Sequence, residues 1–154
     1  MPISSGDLIS YYEGLSKKFD LLYLEDPFWE DDWDAWSKLS AKILSQFIIV
    51  GDNLIATNPY RMQMALDKKA ITAVSVKPVQ IGTVMEAFAL VEVARQAGLK
   101  IVTSARTHET NDDFIADFAV AVSSDYVRFG GFSRGEIISK YNRLSQIERQ
   151  LKSL

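Results

Sequence analysis

The chain reads as an α/β protein built on a parallel sheet, and two observations point there. Five short apolar runs, partly β-branched as buried parallel strands are, recur along the sequence with helical stretches between them. Each run also leads into a side chain able to do chemistry. Residues 21–24 precede Glu25, 47–51 precede Asp52, 73–76 precede Lys77, 101–104 stand just before Arg106, and 126–127 precede Arg128. In alternating α/β folds the site lies at the carboxyl ends of the strands. Two carboxylates, one lysine and two arginines then share one rim, a set suited to a metal-bound anionic substrate.

The elements follow in the order α(βα)5. A first helix starts after Ser4-Ser5-Gly6-Asp7 and buries Leu8, Ile9, Tyr12 and Leu15. A second, over residues 31–44, carries Trp33, Trp36 and Leu39 at helical spacing. The third opens at Asn58-Pro59, a capping residue followed by proline in the first turn. The fourth, residues 84–97, stops at Gly98, and the fifth spans 112–123. The last, 134–151, buries Ile137, Ile138, Tyr141, Leu144 and Ile147 and turns a charged face to water. Trp33 and Trp36 read as packing residues, because aromatic side chains carry core burial. Trp29, on a strand-end loop, is a candidate for exposure at an oligomer contact.

With 154 residues the chain favours one domain, 1–154, with a sizeable core. Hydrophobic residues make up 47% and charged residues 24%, and the net charge of -3 comes without a basic block, which argues against nucleic-acid binding. No apolar stretch approaches the ~20 residues that span a bilayer. The first residues lack the basic and apolar regions of a signal peptide, and the absence of cysteine excludes disulfide and thiolate chemistry. A cytoplasmic location is expected.

The residues around the strand ends carry a resemblance. Leu24-Glu25-Asp26-Pro27-Phe28, Glu30-Asp31-Asp32-Trp33, Ala35-Trp36, Val50-Gly51-Asp52 and Thr57-Asn58-Pro59 are in the first half. Lys77 with Gln80-Ile81-Gly82-Thr83, Glu109-Thr110, Phe114-Ile115-Ala116-Asp117, and Ser133-Arg134 through Lys140-Tyr141-Asn142 to Ile147-Glu148 complete the series. Over residues 5–150 the sequence resembles the barrel domain of enolases (phosphopyruvate hydratases), in its C-terminal part only. The fold this implies is a partial, half enolase-type βα barrel of about five parallel strands with flanking helices. A closed TIM barrel has eight strands and ~250 residues. The resemblance places the start of this chain after the third barrel strand, with the capping domain absent.

What the resemblance implies for the site goes residue by residue. Glu25 and Asp52 match two of the three carboxylates that hold the catalytic Mg²⁺; the third lies on a strand outside the match. The other reading of both is a structural ion pair with nearby lysine or arginine. Lys77 matches the lysine base that removes the proton alpha to the carboxylate, and the alternative is a lysine neutralising Glu25 or Asp52. Arg106 and Thr107 match the arginine and hydroxyl that hold substrate phosphate. Arg128 stands where the family binds the substrate carboxylate with lysine, an exchange that is not conservative; the other reading is a structural ion-pair partner for Glu25, Asp52 or Asp117. Asp26 reads as a structural partner near the rim, and Asn53 stands where many enolases have a second aspartate.

Several departures from the pattern matter. Pro78 and Val79 alter the run after the lysine. Ala105 replaces the family histidine, and His108, the only histidine of the chain, occupies a glycine position. The general acid belongs to the part of an enolase outside the match. The expected function is therefore enolase-like lyase chemistry of glycolysis, the Mg-dependent dehydration of 2-phosphoglycerate, weak in the isolated chain. The alternative is a non-catalytic module that binds a phosphorylated carboxylate and Mg²⁺ or serves assembly. Two open sheet edges imply self-association as a homodimer, or a separate chain that supplies the missing half-barrel. A monomer flattened into an open sheet, with the first helix over its exposed face, is the other possibility.

Overall fold

The computed structural model describes residues 3–43 and 46–153. Its centre is a five-stranded sheet in sequence order, every neighbour parallel. The strands are β1 (Tyr23–Glu25), β2 (Ile48–Gly51), β3 (Ala73–Val76), β4 (Lys100–Ser104) and β5 (Tyr126–Arg128). Helices α1 (Ser5–Lys18), α2 (Trp33–Ile43), α3 (Pro59–Asp67), α4 (Val84–Gln96), α5 (Phe114–Ala121) and α6 (Gly135–Leu151) flank it. The sheet is strongly curled and half open, a partial βα barrel, so the flattened alternative does not hold. Helix α1 lies against α2, where Ile9 joins the cluster of Phe28 and Trp36, and it leaves the inner face of the sheet alone.

Alternation along the strands separates two cores. Ile49, Val74, Val76 and Ile101 point outward and pack with Trp36, Leu39, Met62, Leu90 and Phe118. Val50, Ala73 and Val102 point inward, covered by Tyr23, Ile48 and Tyr126. The small Ala73 and Ser75 on the central strand leave room for this curl, and both are fully buried. A third cluster packs α5 and α6 on β5 through Ala116, Phe129 and Ile137.

Local chemistry sets the helix starts. Ser4 caps α1 by accepting from the Asp7 N–H, and Asn58 caps α3 by accepting from Tyr60 and Arg61. Thr83 and Glu86 cap α4. The expected elements are all present, most ends shifted by one or two residues and the start of α1 by three, and residue 44 lies outside the described residues. Two expectations need correcting. Glu25 is the last residue of β1, which begins at Tyr23, while Leu22 is exposed. On α6 Ile138 faces water, and the fully buried position is Lys140, one turn on from Ile137. A helix repeats every 3.6 residues, so 137, 140, 141, 144 and 147 share the inner stripe and 138 falls outside it.

Gly51 ends β2 directly before Asp52, and a Cβ there would stand 2.9 Å from Ile55 Cγ1 and 3.3 Å from both Ile71 Cγ2 and Leu54 Cδ2. Gly51→Ala is expected to overpack this junction and lower stability by about 1–3 kcal/mol. A urea midpoint that falls with unchanged slope is the check.

Candidate active site

Parallel pairing brings the carboxyl ends of the strands level, with Glu25 beside Val50 and Ser104 beside Arg128. They open onto one cleft of about 610 Å³, lined by Glu25, Asp52, Asn53, Lys77, Ala105, Arg106, Thr107, His108 and Arg128. All six residues expected from the sequence to form the site, Glu25, Asp52, Lys77, Arg106, Thr107 and Arg128, are in this lining.

Charge is concentrated at one end. Asp52 and Lys77 are both buried, and Lys77 Nζ lies 2.5 Å from each carboxylate oxygen of Asp52. Arg128, half-exposed, places one guanidinium nitrogen 2.7 Å from Asp52 Oδ2 and 2.9 Å from Glu25 Oε1. Glu25 also accepts a hydrogen bond from the Tyr23 hydroxyl. Burial by itself would raise the Asp52 carboxyl, but hydrogen bonding and charge from Lys77, helped by Arg128, bring it below its usual value. Glu25 shifts the other way. Burial raises it, the negative charge of Asp52 adds to the rise, and Tyr23 with its half-share of Arg128 does not offset them. Tyr23 is itself raised, by burial first and then by Glu25.

The remaining cation of the lining, Arg106, stands apart from this network. Arg106 and Thr107 are exposed on the loop after β4, and His108 is exposed beside them. Asp26, in a left-handed conformation with φ +45°, accepts the backbone N–H groups of Asp52 and Asn53 at 3.0 and 2.8 Å, the structural role expected of it. Val79 is 70% exposed and outside the lining, and Pro78 opens a 3₁₀ turn (Pro78–Gln80) that needs no N–H at its first position. The altered run therefore leaves the cleft wall intact. Trp29 is exposed, while Trp36 is buried and donates to the Trp29 carbonyl.

Supporting residues missed in the sequence include Tyr23, Thr57 and Lys140. Thr57 is buried at φ +52°; its hydroxyl accepts the Lys77 N–H at 3.1 Å and donates to Gln80 Oε1 at 2.9 Å, which fixes the backbone beneath the lysine. Its β-branched side chain in that conformation carries no sequence signal. Lys140 did carry one, a lysine on an apolar helical stripe.

Among the described residues no group of three or more metal-binding side chains is gathered. Glu25 and Asp52 form a two-carboxylate set of hard oxygens. That fits a Mg²⁺ keeping several waters and completing its shell with ligand oxygens. Arg128 now bridges these same oxygens and would have to yield them.

Asp52→Asn leaves Lys77 charged and buried, so a loss of about 3–5 kcal/mol is expected at neutral pH. Lys77→Met leaves Asp52 its Arg128 partner and is expected to cost less. The folded-state pKa of Asp52 is lowered, so its contribution is complete above the unfolded value, about 4, and is lost as pH falls through the folded value. The gap between wild type and Asp52→Asn should narrow on acidification, as read by urea unfolding from pH 7 downward.

Comparison with known proteins agrees with this architecture. Residues 2–154 match the family model described as "Enolase, C-terminal TIM barrel domain". Among similar curated proteins, an enolase of Saccharolobus solfataricus is 43% identical over 148 residues, 96% of this chain and 35% of its own length. An enolase of Sulfurisphaera tokodaii is 44% identical over 146 residues, 95% of this chain and 35% of its own. The chain thus spans about a third of the length of the curated relatives it matches. The strand-end constellation, the partial barrel and the matched family model together place this chain in the enolase family, within its C-terminal barrel domain.

Proposed function

We propose that the cleft binds a small phosphorylated carboxylate together with Mg²⁺, and that its reaction class is the enolase one, the reversible dehydration of 2-phosphoglycerate to phosphoenolpyruvate. The observation that carries this reading is the single cleft in which Glu25, Asp52, Lys77, Arg106, Thr107 and Arg128 converge. Arg128 would take the carboxylate and Arg106 with Thr107 the phosphate, each guanidinium suited to a planar oxyanion pair. Glu25 and Asp52 would hold the metal. Mg²⁺ bound there supplies Lewis-acid stabilisation of negative charge developing on the substrate carboxylate. Two carboxylates face three cationic side chains, so the metal alone adds positive charge to a cationic cleft. A phosphorylated acid supplies the missing negative charge, and the two ligands are expected to bind together.

Lys77 would take the alpha proton as the neutral amine, once its bonds to Asp52 are released and its ammonium has given up a proton. As it stands it is an ammonium donating to both oxygens of that carboxylate. Ala105 puts a methyl group in the cleft wall where the resemblance expects a histidine. The family's general acid lies outside the matched segment. Together these support binding with slow turnover in the chain by itself, and they favour the second reading, a binding or assembly module. Among the described residues the outer backbone edges of β1 and β5 have no neighbouring strand, which supports a homodimer or a separate chain that completes the barrel. A cytoplasmic, glycolytic setting goes with the same reading. Among the described residues no helix is long and apolar enough to cross a membrane.

Calorimetric titration of Mg²⁺ with and without 2-phosphoglycerate, followed by an assay for phosphoenolpyruvate in wild type and Lys77→Ala, tests it. Metal binding strengthened by the acid is the expected result, with any turnover abolished in the variant. Binding without turnover would leave the module reading. No binding of either ligand would sink both.

A further inference from the structure

The loop joining β4 to α5, residues 105–113, carries Arg106 and Thr107 and has no regular secondary structure. Helix α6 holds it. Lys140 is wholly buried, and its ammonium donates to the carbonyl oxygens of Thr110 at 2.9 Å, Asp112 at 3.0 Å and Glu136 at 2.8 Å. These use all three of its N–H donors. Glu109 Oε2 lies 3.4 Å from the same nitrogen, and Oε1 accepts the backbone N–H of Arg106 at 2.6 Å. From the other side Arg134, the residue before α6, donates to the Thr107 carbonyl at 2.9 Å.

Burying an ammonium is costly unless it is paired and hydrogen-bonded. An apolar residue at 140 would continue the stripe of Ile137, Tyr141 and Leu144, so the lysine is spent on the loop. The guanidinium of Arg106, by contrast, makes no hydrogen bond or ion pair among the described residues. Only its backbone is held, and that anchor sets where the side chain can reach. We propose that Lys140 and Glu109 are positioning residues for the phosphate end of the cleft, a buried cation holding the carboxylate that holds Arg106. The inference rests on the proposed role of Arg106 and Thr107 as phosphate contacts.

The test uses Lys140→Met, Glu109→Ala and Glu109→Gln in the full chain. Inorganic phosphate probes the Arg106 end and lactate, a carboxylate without phosphate, the Arg128 end, both by chemical-shift titration. Hydrogen exchange of the Arg106 amide is read alongside. Phosphate affinity is expected to fall about tenfold in Lys140→Met and Glu109→Ala, the loss of one charge-assisted anchor. Lactate affinity should be little changed, and Arg106 exchange should quicken. Glu109→Gln should recover part of the phosphate affinity, because its amide oxygen still accepts the Arg106 N–H. Equal loss for both ligands, or phosphate affinity unchanged, overturns the proposal. If Lys140→Met does not fold, Glu109→Ala decides, since it leaves the three carbonyl bonds of Lys140 in place. If wild type binds no phosphate, the functional reading fails at that end and Arg106 exchange decides alone: unchanged exchange in the variants overturns the positioning role, and faster exchange sustains it.

Discussion

The charge of Asp52 is held in place by Lys77 and Arg128. Its carboxylate is buried at the end of β2, and a buried charge is tolerated only when paired and hydrogen-bonded. Lys77 reaches it from β3, and Arg128 from β5, three strands away in the sheet. Arg128 also reaches Glu25 on β1. The two edge strands are therefore joined through side chains, although among the described residues no backbone bond connects them. That contact depends on the curl of the sheet, and the curl depends on small inward residues at the centre, Ala73 and Ser75. Packing and electrostatics here require the same shape.

The cleft has two ends with different physical characters. At the Asp52 end, Asp52 and Lys77 are buried against each other and Arg128 pairs with both carboxylates, so a ligand must compete with bonds already made. At the Arg106 end, side chains are exposed and only the backbone is tied down. On the proposed reading, a ligand with carboxylate and phosphate groups would span the cleft. Its phosphate would meet an open guanidinium, while its carboxylate and metal would have to displace an internal bridge. The carboxylate end is where ligand affinity has to overcome pre-existing ion pairs.

Much of this was legible in the sequence. The run Ala73–Val76 before Lys77 and the pair Asn58-Pro59 fixed a strand and a helix start to the residue, because burial on both faces and capping leave direct marks. Glu25, Asp52, Lys77, Arg106 and Arg128 were expected on one rim because parallel strand ends lie together, Thr107 came from the resemblance alone, and all six line one cleft. Ion pairs of Lys77 and Arg128 with Glu25 or Asp52 were among the readings, but which cation takes which carboxylate stayed hidden. Spacing alone does not say that Lys77 closes on Asp52 while Arg128 divides itself between two carboxylates; that follows from curvature, a property of the whole sheet. Lys140 was passed over, although it stands on the apolar stripe of α6. Ile138 was misread as buried, an apolar residue one position off that stripe.

The most direct test is a double-mutant cycle on unfolding free energy with Glu25→Gln, Arg128→Met and both together. A bridge between β1 and β5 across the curled sheet predicts a coupling of about 0.5–3 kcal/mol. Single effects that add to within about 0.3 kcal/mol would contradict it. The edge strands would then be independent, and the cleft would not be closed by its own charges.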